Sequence, residues 1–235
     1  EKLAMKYICY YLQEMAHKQA GILGFSITQM MEQNMTWMMT KLKVSLYRSI
    51  AWDEKLILET WPSHIDKLYA YRDFFIKNEN GEVLGAATSV WVMINYEKRL
   101  PIRVTDYLKE VYAKLYDTTP QKALNYQFGK ILFPENYNNY KSIIVRFGDL
   151  DVNGHVNNAS YVDYLLESTP NDWIMQKTMA DFEIHYKNEA LYGETLHSYG
   201  VMDDSSDSTI LHRLVRPSDG KEIVLAKTIW KSPLG

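Results

Sequence analysis

The chain has 235 residues, 46% of them apolar, and a formal net charge of −3. That length suits one large domain or two smaller ones sharing a core, and the apolar fraction excludes a disordered chain. The charge gives no overall basic footprint for nucleic acid, and no basic aromatic motif supplies one locally. Eighteen Tyr and six Trp favour β-structure, because aromatic side chains fit pleated surfaces. The single cysteine, Cys9, rules out an intrachain disulfide. No charged-then-apolar leader and no apolar run of about 18 residues is visible. A cytoplasmic protein without a membrane span is therefore the default expectation. The chain opens at Glu1 rather than Met, which suggests that a short N-terminal piece is missing.

In chain order, a helix-like run covers Met5–Met15, with Cys9 as a small buried side chain within it. The Met-rich stretch Met30–Met39 follows. Four strands are predicted at about 41–50, 54–62, 67–78 and 82–95. The run Tyr96–Tyr140 contains Pro101, Pro120 and Pro134 and a helix-like piece at Asp106–Tyr116, so it reads as a connector. The apolar run Ile143–Val145 predicts a buried strand, and Tyr161, Val162, Tyr164, Leu165 and Leu166 predict a helix. Four more strands are predicted at about 179–188, 193–202, 208–216 and 222–231, with hairpin residues in the turns. His185, His197 and His212 fall in these strand patterns and read as ordinary sheet residues.

An internal repeat organises these elements. Residues 81–91 (Gly-Glu-Val-Leu-Gly-Ala-Ala-Thr-Ser-Val-Trp) align without a gap on residues 220–230 (Gly-Lys-Glu-Ile-Val-Leu-Ala-Lys-Thr-Ile-Trp). Upstream, Val44–Leu58 lies in register with Ile184–Ser198, and Tyr11–Glu14 matches Tyr164–Glu167. Each half reads as one helix and several long antiparallel strands, the strands supplying the apolar surface that the helix covers. The expected domains are residues 1–100, a connector at 101–140, and residues 141–235. Edge-to-edge pairing of the two sheets would remove two exposed edges.

Between the Ile143–Val145 strand and the second helix lies Arg146-Phe-Gly-Asp-Leu-Asp-Val-Asn-Gly-His-Val-Asn-Asn158. It concentrates carboxylates, amides and one histidine where free backbone N–H groups can bind developing negative charge. One plain reading is a helix N-cap with a hydrogen-bonded turn, which also favours Asn and Asp. Another is calcium, because Asp149-x-Asp151-x-Asn153-Gly154 matches the opening of an EF-hand loop. That match fails at its twelfth position, Ser160, where a bidentate Glu is required. The remaining histidines show no zinc-ligand spacing, and no Gly-x-Ser-x-Gly elbow is present.

These residues resemble the acyl-acyl carrier protein thioesterase family. The resemblance rests on Asp149–Asn158 with Tyr161, on Thr60-Trp61-Pro62, on Arg72-Asp73-Phe74 and on Ser89-Val90-Trp91. It implies an α+β fold of two tandem hot-dog domains, each a long antiparallel sheet wrapped around a central helix. It also implies a catalytic set at Asp151, Asn153, His155 and Glu189. Plant members carry a cysteine after that glutamate; here the position is Ala190, so no cysteine nucleophile is expected there. A strand that normally precedes the first helix is not seen before Leu3, so the first sheet is expected to be incomplete.

The implied activity is hydrolysis of fatty acyl-acyl carrier protein by an activated water. Histidine titrates near neutral pH and can serve as base, so His155 with Glu189 is expected to activate water. Asn153 would position the thioester and Asp151 would orient the ring. Backbone donors after Asn157 and Asn158 would add to the oxyanion site. The Met-rich stretch, through Met30, Met35 and Trp37, either lines an acyl pocket or fills the first core. No cofactor or metal is implied. The expected partner is the carrier protein, with Lys41, Lys43 and Arg48 either guiding it or forming a plain solvated strand face. The chain is expected as a monomer or homodimer. The alternatives are an acyl-coenzyme A thioesterase, a hydratase or dehydratase on the same fold, and an inactive acyl-binding protein.

Overall fold

The computed structural model describes residues 2–116 and 122–232, and Pro120 lies outside them. The chain divides into two compact units. The first is Tyr11–Gln127; the second joins Glu1–Tyr10 to Phe128–Gly235. The expected connector is therefore shared, residues 101–127 going with the first unit and 128–140 with the second.

In the first unit the helix α1, Met5–Ile22, contributes its residues from Tyr11 onward. A short helix α2, Ile27–Met31, is set by a capping box in which Ser26 Oγ accepts from Gln29 N–H and Gln29 Oε1 accepts from Ser26 N–H. Strands β1 (Met35–Leu46), β2 (Leu56–Ile65), β3 (Tyr69–Asn78) and β4 (Val83–Asn95) follow, and then helix α3 (Asp106–Tyr116). They form an antiparallel sheet in the order β2-β3-β4-β1. β1 begins six residues earlier than the predicted 41, so Met35 and Trp37 are strand residues. Pro62 lies within β2, which the order places at an edge, and the register slips between Pro62 and His64.

β4 is buried along almost its whole length, because both faces of the sheet are covered. On one face α1 brings His17 against Trp91 and Gln19 against Arg72. On the other, the connector is tied down by Ala123 N–H donating to Asp73 Oδ2 at 2.8 Å. Tyr126 lies beneath the Lys43 ammonium, 5.2 Å from it. Arg72 and Asp73 are neighbours on β3 and serve opposite faces, as a two-residue period dictates.

In the second unit come β5 (Tyr140–Ile144), α4 (Ser160–Leu166), α5 (Asn171–Gln176) and strands β6 (Thr178–Tyr186), β7 (Thr195–Asp203), β8 (Ser206–Arg216) and β9 (Lys221–Lys231). Their order is β6-β9-β8-β7-β5, all antiparallel. α4 packs on β7 and β8. The predicted strand at 143–145 is present, but it is an edge strand and largely exposed, with only Val145 buried. The connector covers this unit through Phe128 beside His185 and through Phe133, over which the Arg213 guanidinium sits at 4.6 Å.

The duplication reaches individual atoms. Trp91 Nε1 donates to Ser89 Oγ and Trp230 Nε1 to Thr228 Oγ1, each at 2.8 Å. β1 bulges between Met39 and Lys41, and β6 between Met179 and Asp181, at matching positions. Ala51 N–H donates to Glu54 Oε2 at 3.3 Å, and Leu191 N–H to Glu194 Oε2 at 3.0 Å.

Thr228 Oγ1 also meets His212 Nε2 at 2.9 Å, so one buried hydroxyl serves two rings. Thr228→Val should destabilise the protein by about 1–3 kcal/mol for each buried group left unsatisfied. Urea unfolding would show this as a lowered midpoint, against near-neutrality for the exposed Thr195→Val.

Candidate active site

The polar cluster is a short loop held from behind by one buried carboxylate. After β5 the chain makes a 3-10 turn at Phe147–Asp149. Asp149 is 4% exposed. Its Oδ2 accepts from Arg146 N–H (3.2 Å), Arg146 Nε (2.9 Å) and Tyr164 O–H (2.7 Å), and its Oδ1 from Arg146 Nη2 (3.0 Å). Its carbonyl accepts from Asn157 N–H and Ser160 Oγ. Burial works to raise the carboxyl, but the bonds from Arg146 and Tyr164 prevail and hold it below the usual carboxylate range. Both oxygens are thus taken by protein donors, which removes the residue an EF-hand would use first. Among the described residues no group of three or more His, Cys, Asp or Glu is placed to hold a metal.

Residues 150–156 fold back as a miniature hairpin, with Leu150 bridged to Val156. Asp151 closes it. Its N–H donates to the His155 carbonyl at 2.7 Å. Its Oδ1 accepts from Asn153 N–H at 2.8 Å and from His155 N–H at 3.3 Å. Gly154 takes a φ of 78°, where a side chain would be strained. Asp151 therefore orients His155 through the backbone, with its carboxylate on N–H groups of the turn.

The return arm of the hairpin pairs with the segment after β6. His155 bridges Leu191, and Val156 N–H donates to the Ala190 carbonyl at 3.0 Å. This lays the His155 ring beside Glu189, Nε2 to Oε2 at 3.4 Å. Both side chains are partly exposed. Asn153 is exposed at the tip, and its side-chain amide bonds to none of the described residues. The structure thus brings His155 and Glu189 together, with Asp151 beneath and Asn153 at the rim.

One expected element differs. Ala159 N–H binds Asn157 Oδ1 at 2.9 Å and Ser160 N–H binds the Asn157 carbonyl at 2.8 Å. Asn157 thus makes an Asx turn just before α4, whose N-cap is Ala159, and these two N–H groups are already engaged rather than open to an oxyanion. The hydrogen-bonded turn and the candidate catalytic side chains fall on different residues of one loop, and no side chain caps α4.

Several supports escaped the sequence pattern. Arg216, at the end of β8, donates to the Glu189 carbonyl at 3.2 Å and pairs with Glu194 and Asp219. Tyr186 O–H donates to the Asn158 carbonyl, and Tyr161 Oη accepts from Ala190 N–H. Of these, Arg216 carried no signal in the sequence pattern. The position after Glu189 is the buried Ala190, which has no thiol. Cys9 falls in the same unit as the cluster, but burial pushes its thiol up to about 12, which leaves no thiolate near neutral pH. Of the proposed docking cations, Lys43 is buried, and Arg48 is partly exposed but paired with Glu54.

The arrangement defines a His–carboxylate site on one unit of a duplicated helix-on-sheet protein. The solved structure of an acyl-ACP thioesterase from Bacteroides thetaiotaomicron superposes with a TM-score of 0.85 at 24% identity, over 98% of this chain and 90% of that one. The 12:0-ACP thioesterase from Umbellularia californica also superposes at 0.85, with 21% identity over 98% and 91% of the two chains. These likenesses establish the double hot-dog fold. The description "Acyl-ACP thioesterase N-terminal domain" matches residues 1–114, and "Acyl-ACP thioesterase C-terminal domain" matches residues 134–232. The chain belongs to the acyl-ACP thioesterase family. A chloroplastic acyl-[acyl-carrier-protein] hydrolase of Cuphea viscosissima is 32% identical over 232 residues, 94% of this chain and 56% of that protein. The chain spans about half the length of the first curated relatives it matches. No helix among the described residues is long and apolar enough to cross a membrane.

A depressed carboxyl stabilises the fold above its unfolded titration range, and that contribution is lost as pH falls through the folded one. Asp149→Asn should cost about 1–3 kcal/mol near pH 7. The deficit should narrow as pH falls below about 4, where the carboxyl of the unfolded chain protonates first, and close only once the depressed folded carboxyl has followed. Equal deficits at both pH values in thermal melts would show that the carboxylate charge is not what Asp149 contributes.

Proposed function

We propose that the chain hydrolyses fatty acyl-acyl carrier protein to free fatty acid and carrier. The observation that carries this reading is the His155–Glu189 pair at 3.4 Å, built by a hairpin with no other evident purpose. Family membership supplies the substrate class.

A thioester is already activated, so the reaction needs a deprotonated water and donors for the oxyanion. Water held between His155 and Glu189 attacks the carbonyl carbon and gives its proton to that pair. The tetrahedral oxyanion accepts from the free Asn153 amide. The carbon–sulfur bond then breaks, and the proton returns to the departing carrier thiolate. Asp151 acts by holding the turn. The first unit supports an acyl pocket: Met30 is buried with Phe25, Met93, Val104 and Leu108, while Met35 and Trp37 pack against that cluster. Trp37 also lines a cavity of about 40 Å³. Trp37 is then the acyl contact, with Met30 and Met35 forming the wall behind it. The reaction needs only a soluble carrier and water, which suits an aqueous compartment such as the cytoplasm; the plant relatives are named as chloroplastic.

His155→Ala and Glu189→Gln should each lower kcat by about 10²–10⁴-fold, as loss of a general base does. Asn153→Ala should lower it by about 10²–10³-fold. Free-thiol release from acyl-carrier thioesters measures all three; full activity in either His155→Ala or Asn153→Ala would refute the assignment. Equal turnover of coenzyme A thioesters would move the substrate class to coenzyme A. Trp37→Ala should favour longer chains on an acyl-length ladder, since each extra buried methylene contributes about 0.8 kcal/mol. An unchanged profile would leave Trp37 a packing role alone.

A further inference from the structure

The first unit contains a charge that its fold does not require. Arg72 on β3 is 7% exposed and lines the cavity together with Ala16, Ala20, Phe25, Trp37 and Trp91. Its Nη1 donates to Gln19 Oε1 and Thr60 Oγ1, both neutral oxygens. Among the described residues no carboxylate pairs with it. Its Nε and Nη2 donate to none of them. Tyr112 shares the cavity, but burial pushes its phenol up to about 12, against the pull of Arg72, so it stays neutral near pH 7. His17 is the other titratable group on the wall, and it cannot be an anion. Asp73 faces away, toward the connector.

The duplicated fold supplies an internal control. Arg72 pairs across the ladder with Ser89, the hydroxyl that accepts from Trp91. At the same register in the second unit, Ile210 pairs with Thr228, which accepts from Trp230. Ile210 is 1% exposed and apolar. A hot-dog sheet therefore closes well with an aliphatic residue at this place. A buried guanidinium stays charged and is costly without a counter-charge, so an anion in the cavity would offset that cost.

We propose that this cavity binds the carboxylate end of an alkyl chain, with the Arg72 guanidinium as its counter-ion. A carboxylate matches the planar donor fork of arginine, and the surrounding apolar side chains suit the adjoining methylenes. Two sources carry this chemistry: a free fatty acid, or an acyl group bearing a second carboxylate at its far end.

The test uses the full chain. Decanoate and decanol are titrated against the Trp fluorescence, since Trp37 and Trp91 line the cavity. Decanoate should bind at least about tenfold more tightly than decanol, and Arg72→Ile, which copies Ile210, should abolish the preference. In a second arm, the monothioester of decanedioic acid is compared with the decanoyl thioester by kcat/KM in wild type and Arg72→Ile. A preference for the carboxylate in the first arm assigns the free acid as ligand; one in the second arm assigns the acyl tail. No carboxylate preference in either arm of the wild type overturns the proposal, as does a preference that survives in folded Arg72→Ile. The wild-type comparison stands even if the variant fails to fold. The first arm involves no turnover, so it separates failure of this site from failure of the hydrolase reading.

Discussion

The buried Asp149 carboxylate is the contact on which the site depends. A charge taken out of water has to be compensated by strong donors, and here Arg146 and Tyr164 supply them. Those bonds tie the end of the edge strand to helix α4. The Asp149 carbonyl then receives Asn157 and Ser160, which brings the far end of the loop back to its start. With both ends fastened, residues 150–156 have only enough chain for a tight hairpin. Its return arm meets Ala190 and Leu191, and this places His155 on Glu189. A buried residue of the motif thus sets the geometry, and the exposed candidate residues stand on it.

The fold was legible because strand patterning and the repeat reinforce each other. Ser89-Val90-Trp91 and Thr228-Ile229-Trp230 align in sequence, and both make the same indole-to-hydroxyl bond. The start of β1 falls earlier than expected because Met35–Met39 carries no strict alternation; that stretch is only partly buried. The Ile143–Val145 strand was misread as buried because apolarity alone does not separate an edge from a centre. The polar loop was legible through its local composition, whereas the candidates Asp151, Asn153, His155 and Glu189 were carried by the family resemblance, and the hairpin itself had no signal. Arg216 was not legible, because its distance from Glu189 closes only when β8 is folded. The role of Asn157 was likewise ambiguous, since hydrogen-bonded turns and catalytic amides draw on the same residue type.

The two units share a scaffold but present different polar groups on it. In the first, an arginine rests on the Ser49 carbonyl and grips Glu54: Arg48 Nη1 to Ser49 O is 3.0 Å, and Nη1 to Glu54 Oε2 is 2.9 Å. In the second, Arg216 Nη1 reaches the Glu189 carbonyl at 3.2 Å and Glu194 at 3.0 Å. The knot is the same, yet its arginine comes from the neighbouring residue in one unit and from another strand in the other. Alignment of the halves cannot reveal this, because the bond is kept while its donor moves.

That knot fixes the backbone of a turn and leaves its side chain open to choice. Ser49 occupies the position in one unit and Glu189 in the other, so only the second presents a carboxylate. The hairpin that brings a histidine to it also belongs to the second unit, where β5 and α4 give Asp149 its partners. The first unit departs in the opposite place, inside its sheet, with Arg72 where the second has Ile210. Duplication thus provides two similar sheets whose polar residues have diverged position by position. The second unit places its polar chemistry at the rim, where water has access. The first places the Arg72 guanidinium in its interior, among apolar side chains and neutral oxygens.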